Sequence, residues 1–410
     1  MGLNLRWVGD DERERVAETR MLCYAPARKE LPAYVERIKT DVRVKAGDFL
    51  LAENEGQPVG TATSIAMTMW VRGSPVPCQG VAHVGTIKTH RRKAVSGKGI
   101  ATVVMNETLR AARERGFVVS ALMPFRGSFY EHFGYGFVER RKEWTLPMAV
   151  LPKGDFGDVR FYRSDDLDEL VRFKQRVTER GHGDIERSRA LWEKYLKAAE
   201  DGHAIVDRAT GGPMRAFMAI EHSHDPAGPD TVSAWETIYE GVAALRRQLH
   251  FLASLRDQYS AAKLTLPADL RLNLLLAETQ MTHRGNRNHP TAEARPFNRM
   301  QVRVLDHVKL VAAMKPRGDV KGTVTVGIHE AEGGVTKLSI DIAEGRATAR
   351  ATDASVQVEI PDRVWAPVVF GELPASEAHR LGLLTRADEG TLRVLDAFAA
   401  GAAPFCLEYF

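Results

Sequence analysis

Only three cysteines occur in the 410 residues, and Cys23, Cys78 and Cys406 stand far apart. Such scarcity excludes a disulfide-stapled scaffold. The lack of any Cys-x-x-Cys pair excludes the common zinc and dithiol patterns, so no metal and a reducing compartment are expected. Surplus charge of one sign is missing too: 57 Lys and Arg face 53 Asp and Glu, a formal net charge of +4. With acids interspersed among the bases, nucleic acid is not an expected partner. No apolar run is long enough to span a bilayer, so no membrane partner is expected either. The start, Met1-Gly2-Leu3-Asn4-Leu5-Arg6, has no apolar leader core, and Arg6 stands where myristoylation requires Ser or Thr. The expected location is cytoplasmic. What remains is the composition of a folded protein, 44% apolar and 27% charged, in a chain long enough for two or three domains.

The most informative stretch runs from Val81 to Phe137. Val81 to Ile87 is short, apolar and β-branched, which suits a buried strand. His90, Arg91, Arg92, Lys93 and Lys98 then crowd into a loop with Gly97 and Gly99. From Ile100 the pattern turns helical, with Ile100, Val103, Val104, Thr108 and Ala111 on one face and Gly116 as the stop. Phe117 to Leu122 reads as the next strand. Small residues entering a helix N-terminus leave backbone N–H groups free at the positive end of the helix dipole. Basic side chains beside them make a phosphate site of the pyrophosphate kind. A solvated basic turn before an ordinary amphipathic helix would carry the same residues.

The arrangement resembles the acetyl-CoA core of the GNAT N-acetyltransferases, whose Arg/Gln-x-x-Gly-x-Gly/Ala signature is best matched by Ser96-Gly97-Lys98-Gly99-Ile100-Ala101. One strand later, Phe129-Tyr130-Glu131-His132-Phe133-Gly134-Tyr135-Gly136 looks like the enhanced intracellular survival (Eis) subgroup. The loop departs from that pattern: about five extra residues separate Arg91-Arg92 from Gly99, and Ser96 replaces an arginine. The resemblance covers essentially the whole chain. It implies an α/β (α+β) architecture of tandem GNAT-like domains, 1–152 with the acetyl-CoA site and 153–297 without one, then a sterol-carrier-like α+β domain at 298–410.

Periodicity taken alone supports the order of elements. Helices are expected between Asp10 and Val44, then strands at Phe49 to Glu53 and Val59 to Val71 around the turn Asn54-Glu55-Gly56-Gln57. Trp144 to Val150 is expected to add a strand to the first domain. The middle third reads only as a mixed α/β domain, and its junction Thr237-Ile238-Tyr239-Glu240-Gly241-Val242 lacks a basic glycine loop. Arg284 to Pro296 reads as a boundary. Strands follow at Thr323 to His329, Val335 to Ile342 and Arg346 to Thr352, with helices near Pro361 to Gly371 and Gly390 to Ala400.

Acetyl transfer from a thioester to an amine needs an anchored cofactor, an amine acceptor that loses a proton, a stabilised oxyanion and a protonated leaving thiolate. By resemblance, backbone groups of Val84, Gly85 and Thr86 face the pantetheine and thioester. Arg91, Arg92, Gly97, Lys98, Gly99, Ile100 and Ala101, with Phe125 and Arg126, complete the acetyl-CoA set. Tyr130 is the expected general acid, because a phenol with an ordinary pKa near 10 keeps its proton at neutral pH; a core aromatic among Phe129, Phe133, Tyr135 and Phe137 would look the same. The resemblance makes the terminal carboxylate of Phe410 the general base. The apolar end Ala403-Pro404-Phe405-Cys406-Leu407-Glu408-Tyr409-Phe410 agrees with a buried terminus. A final core strand would be equally apolar. His83 reads as a core or edge histidine, and His222, His224 and Asp225 as a solvated loop. The expected acceptor is a small-molecule amine, with aminoglycosides among the candidates, or a lysine side chain; the expected assembly is a homohexamer. Rival readings are a lipid-carrier scaffold, and an aminoacyl or peptidyl transferase on tandem GNAT folds.

Overall fold

The structure, a computed structural model, describes residues 3–24, 28–92, 94–95, 97–197, 203–223, 230–277 and 291–410. The chain opens with β1 (Asn4–Val8), α1 (Arg13–Tyr24) and α2 (Leu31–Lys39). A meander follows: β2 (Phe49–Asn54), β3 (Gln57–Val71) and β4 (Ser74–Thr86). Two-residue turns join these strands, Glu55-Gly56 and Arg72-Gly73, and all four residues have φ between 50° and 76°. That is the geometry hairpins favour, because its twist matches that of the strands. Next come β5 (Ala94–Val95), β6 (Lys98–Gly99), α3 (Ile100–Glu114), β7 (Val119–Leu122), α4 (Gly127–Glu131) and β8 (Gly136–Phe137).

The middle third holds β9 (Arg140–Pro147), β10 (Val159–Phe161), α5 (Leu167–Arg180), β11 (Asp184–Ile185), α6 (Arg189–Lys197) and β12 (Ala204–Asp207). It continues with β13 (Ala216–Ser223), β14 (Thr231–Tyr239), α7 (Val242–Ser254), β15 (Ala261–Pro267) and β16 (Glu293–Asn298). The last third comprises β17 (Gln301–Val304), α8 (His307–Ala313), β18 (Gly322–His329), β19 (Val335–Ala343), β20 (Arg346–Ala351) and β21 (Val358–Pro361). It closes with α9 (Asp362–Val369), α10 (Ala375–Arg380) and α11 (Glu389–Ala399). No helix among the described residues is long and apolar enough to cross a membrane.

Contact density divides the chain into two units, Met1–Val138 with Met300–Gly401 and Glu408–Phe410, and Glu139–Arg299 with Ala402–Leu407. In the first unit the sheet runs β1-β2-β3-β4-β7-β17-β8. Alternate residues of its strands feed two cores, as the pleat requires. Phe49, Leu51, Ile65 and Ala82 meet Val16 and Ala17 of α1 and Val35 and Ile38 of α2 on one face. Leu50, Ala52, Val59, Ala62 and Val81 meet Ile100, Val104 and Leu109 of α3 on the other. Each fully buried aliphatic contributes about 1.5–3 kcal/mol. A buried polar chain ties the centre together: Gln79 donates to Ser64 (2.8 Å) and to the Thr108 carbonyl (3.1 Å). Ser120 donates to Gln79 (2.7 Å) and lies 2.7 Å from the Tyr135 hydroxyl.

Two strands depart from the sequence expectation. Trp144 to Val150 was expected in the first sheet, yet β9 pairs antiparallel with β15 and β16 in the second, because Trp144, Leu146 and Met148 face that core. Conversely β17, in a stretch where no strand was expected, inserts between β7 and β8, with Gln301 opposite both Leu122 and Phe137.

The second unit has the sheet β10-β12-β13-β14-β15-β9-β16. Again two helices cover one face, through Leu170 and Phe173 of α5 and Trp192 and Leu196 of α6, and one helix, α7, covers the other. A four-stranded sheet, β20-β19-β18-β21, also belongs to the first unit, and its turn Glu344-Gly345 is another two-residue hairpin.

Candidate active site

β4 is where the first unit opens. Its pairing with β3 continues to Thr86, but its parallel pairing with β7 ends at Gly80 opposite Ala121. An unpaired strand edge carries backbone donors and acceptors that need partners. Val84, Gly85 and Thr86 here line a cavity of about 1200 Å³. One carbonyl on this segment is satisfied from α1, since Tyr24 donates its hydroxyl to Val84 O at 2.6 Å. The Thr86 hydroxyl is buried without a partner. The absence of a side chain at Gly85 is required by packing, because a Cβ there would lie 2.9 Å from Cys23 Sγ.

The opening coincides with a bulge. Thr61 pairs with Gly85 but Thr63 pairs with Ala82, so β4 carries one extra residue, and His83 takes φ 53°. Extra residues of this kind bend a strand and re-aim its side chains. His83 keeps part of its surface in solvent. Its imidazole pKa is pushed down to about 3, by partial desolvation first and then by Arg20 and Arg43.

Beyond β4 the expected phosphate loop divides into two groups. Lys88, Arg91 and Lys98 line the cavity, as does Ala101 on the first turn of α3. Arg92, Gly97, Gly99 and Ile100 do not; Ile100 points into the α3 core. The extra loop residues form a small hairpin in which Ala94 pairs with Gly99 and Val95 with Lys98, turning through Gly97 at φ 80°. Lys93 and Ser96 lie outside the described residues. Gly99 serves as N-cap of α3 and offers no capping side chain, so the first N–H groups of this 15-residue helix are left to an outside partner.

Phe125 and Arg126 line the same cavity, with Phe125 77% exposed. Tyr130 sits behind them, 6% exposed, edge-on to Phe125, Phe129 and Tyr135. Burial pushes its hydroxyl up to about 12. The ring is held by packing alone, since the hydroxyl has no hydrogen-bond partner among the described residues. Tyr135, by contrast, is fully buried in the Ser120 network.

Phe410 lies on the other face of the sheet, the α1–α2 face, where a Cβ on Gly80 would come 3.1 Å from its ring. The preceding residue is tied by Arg43, which donates to Tyr409 O at 3.0 Å. The chain end forms neither helix nor strand: Cys406 and Glu408 are buried while Tyr409 is 71% exposed.

Sequence reasoning missed the part of the cavity that comes from the last third. Arg303, Ala331 and Glu332 line it together with Cys23, Tyr24, Thr102 and Asn106. Arg303 is 1% exposed, donates to Phe133 O at 2.5 Å and pairs with Glu332, with Glu330 at 3.6 Å and Asp362 at 3.7 Å. Those three carboxylates lie within 4.8 Å of one another, a spacing compatible with a metal ion, yet the guanidinium already supplies their counter-charge. The only local signal was one arginine in the apolar alternation Gln301-Val302-Arg303-Val304. Of the histidine loop, His222 stacks on Tyr259 and meets its hydroxyl at 2.6 Å, while His224 and Asp225 lie outside the described residues.

An open-edged strand, a basic turn and a helix N-terminus converging on one cavity define a class. Residues 4–138 match the family model described as an acetyltransferase (GNAT) domain, so the chain carries a domain of that family and is an acyltransferase. The chain is 24% identical to an uncharacterized N-acetyltransferase of Streptomyces avermitilis, over 88% of this chain and 87% of that protein. It is 25% identical to the N-acetyltransferase Eis of Mycobacterium bovis, over 84% of each. The crystal structure of Eis1 from Mycobacterium abscessus shares the fold across all of both chains, with a TM-score of 0.79 at 20% identity. Over most of its length the chain is therefore similar to Eis-type N-acetyltransferases.

Proposed function

We propose that the protein moves the acetyl group of acetyl-CoA to a primary amine. The observation that carries this reading is the single cavity that joins the basic turn and the α3 N-terminus to the open edge of β4, with Tyr130 beside it. Lys88, Arg91 and Lys98 would hold the pyrophosphate with the free N–H groups of α3. The open backbone at Val84 and Thr86 would take the pantetheine amides and polarise the thioester carbonyl, a donor arrangement of a kind worth roughly 3 kcal/mol in barrier reduction. When bound, acetyl-CoA supplies the acyl group and its thiol leaving group. Tyr130, whose pKa near 12 keeps its proton in place, would protonate the departing sulfur.

The terminal carboxylate of Phe410 is our candidate base. Its support is the position of the Phe410 ring, which packs on the sheet face opposite Tyr130. Gly80 and Val84 are four residues apart, about 13 Å of strand, so we route the amine proton through water. Isothermal titration with acetyl-CoA, followed by an acceptor screen that reads free CoA, tests the function. Absence of binding overturns it. The homohexamer implied by the resemblance is tested by light scattering at micromolar concentration, where a monomer mass overturns it.

A further inference from the structure

Among the described residues four arginines are buried: Arg20, Arg141, Arg187 and Arg303. Three have a carboxylate in contact, Glu139 for Arg141 at 2.7 Å, Glu236 for Arg187 at 2.6 Å and Glu332 for Arg303. Arg20 has none among the described residues. It is 3% exposed, donates through Nη2 to the Thr63 hydroxyl and lies 5.3 Å over the Phe49 ring, and its buried Nε has no partner. Burial pulls its pKa down to about 10. A buried cation without a counter-ion is a standing cost to the fold, which neither core packing nor the proposed mechanism accounts for.

Its position is informative. On α1, Arg20 stands three and four residues before Cys23 and Tyr24, on the same helix face. Those two residues line the cavity at Val84 and Gly85, where the thioester would lie. Asp41 is the carboxylate whose charge acts on Arg20. It is held by Arg43 at 2.7 Å, and the influence of Glu408 also falls on Arg43. Arg37 is stacked on Tyr34 at 4.5 Å, and His83 carries no charge at neutral pH.

We infer that Arg20 recognises an anionic group on the acceptor, so that the amine acetylated here carries a carboxylate or phosphate within a few bonds of its nitrogen. Amino acids and amino-sugar phosphates have that chemistry; polycationic amines do not. The inference rests on the acetyltransferase reading. In the transfer, the acceptor N–C bond forms as the C–S bond breaks, the sulfur takes its proton from Tyr130, and the ammonium proton leaves towards the chain terminus. The anionic group orients the amine and does not react.

The test compares matched acceptors by CoA release: an amino acid against its carboxamide, an amino-sugar phosphate against the free amino sugar, and an aminoglycoside. At least one anionic member should exceed its neutral partner by at least tenfold in kcat/KM, and which pair does so separates carboxylate from phosphate. Arg20→Met should bring that ratio close to one with acetyl-CoA affinity unchanged, and Arg20→Lys should retain part of it. Because the buried charge is uncompensated, the melting temperature of Arg20→Met should hold or rise. Equal use of neutral and anionic members by the wild type overturns the inference, as does a preference for the aminoglycoside. So does an Arg20→Met variant that is slower on every acceptor and less stable, the signature of a structural arginine. If Arg20→Met does not fold, the wild-type ratios and Arg20→Lys still decide. Failure of the acetyltransferase reading looks different: no acetyl-CoA binding and no CoA release with any amine.

Discussion

The large sheets of the two units repeat one plan, two helices on one face and one on the other, yet their strand-to-helix junctions differ. In the first, thirteen residues lie between Thr86 and Ile100, and they place Lys88, Arg91 and Lys98 on a cavity. In the second, β14 passes into α7 through Glu240 and Gly241 alone, with Gly241 at φ 84°. Glu240 pairs with Arg180 and lies 3.8 Å from Arg176, so the residue before that helix is an acid already matched to bases. An anion meets positive side chains at one helix start and a carboxylate at the other. The shared skeleton therefore carries no cofactor specificity; the connection does.

The comparison breaks most completely if the first unit is cut. A chain ending at residue 299 lacks β17 and α9, and we expect no cooperative melting of the first unit and no acetyl-CoA binding, read by calorimetry and titration. Changes to the chemistry should act inside an intact fold. Tyr130→Phe is expected to lower kcat about 100-fold with unchanged acetyl-CoA affinity, within the range of general acid–base catalysis. Extending the chain past Phe410 turns the terminal carboxylate into a neutral amide and should lower the rate about tenfold while binding is retained; an unchanged rate in the extended protein would remove the carboxylate as base. Smaller again is Lys98→Ala, which should weaken CoA binding several-fold, more at low salt, and affect a dephosphorylated pantetheine analogue less. Equal losses for both ligands would argue against a phosphate contact.

The last expectation is a flat response. Tyr130, at about 12, stays protonated as pH rises, so its loss should not impose a fall in kcat below about pH 11. His83, at about 3, is already neutral above pH 4, so it should impose no acid limb near 6.5. An acid limb centred at 6.5 that disappears in His83→Gln would return that histidine to the mechanism.

What could be read from sequence was local. The strand from Val81, the helix from Ile100, the turns at Glu55-Gly56 and Glu344-Gly345 and the cavity positions of Arg91 and Lys98 follow from residues within one or two elements of each other. The Phe-Gly-Tyr-Gly motif was visible, but its glycines have a cause that spacing cannot reveal. A Cβ on Gly134 would fall 2.1 Å from Asp362 Oδ2, and one on Gly136 2.0 Å from the Arg363 carbonyl. These glycines make room for the start of α9, more than 200 residues later. Arg303 and β17 were hidden for the same reason, since their partners at Phe133, Leu122 and Glu332 are set by tertiary packing. Arg20 was hidden differently: an arginine on a helix gives no sign of which acids fail to reach it.

The placement of β17 also governs the order in which the protein can be made. β7 ends at Leu122, and the strand that covers its free edge begins at Gln301. At 5–20 residues per second, synthesis leaves that edge bare for roughly 10–40 seconds, with residues 139–299 emerging meanwhile. A bare edge is a template for pairing with another chain. The acetyltransferase sheet, begun first on the ribosome, is thus among the last parts to close. Refolding from denaturant should show the same hierarchy, with the second unit acquiring protected amides ahead of β7 and β8.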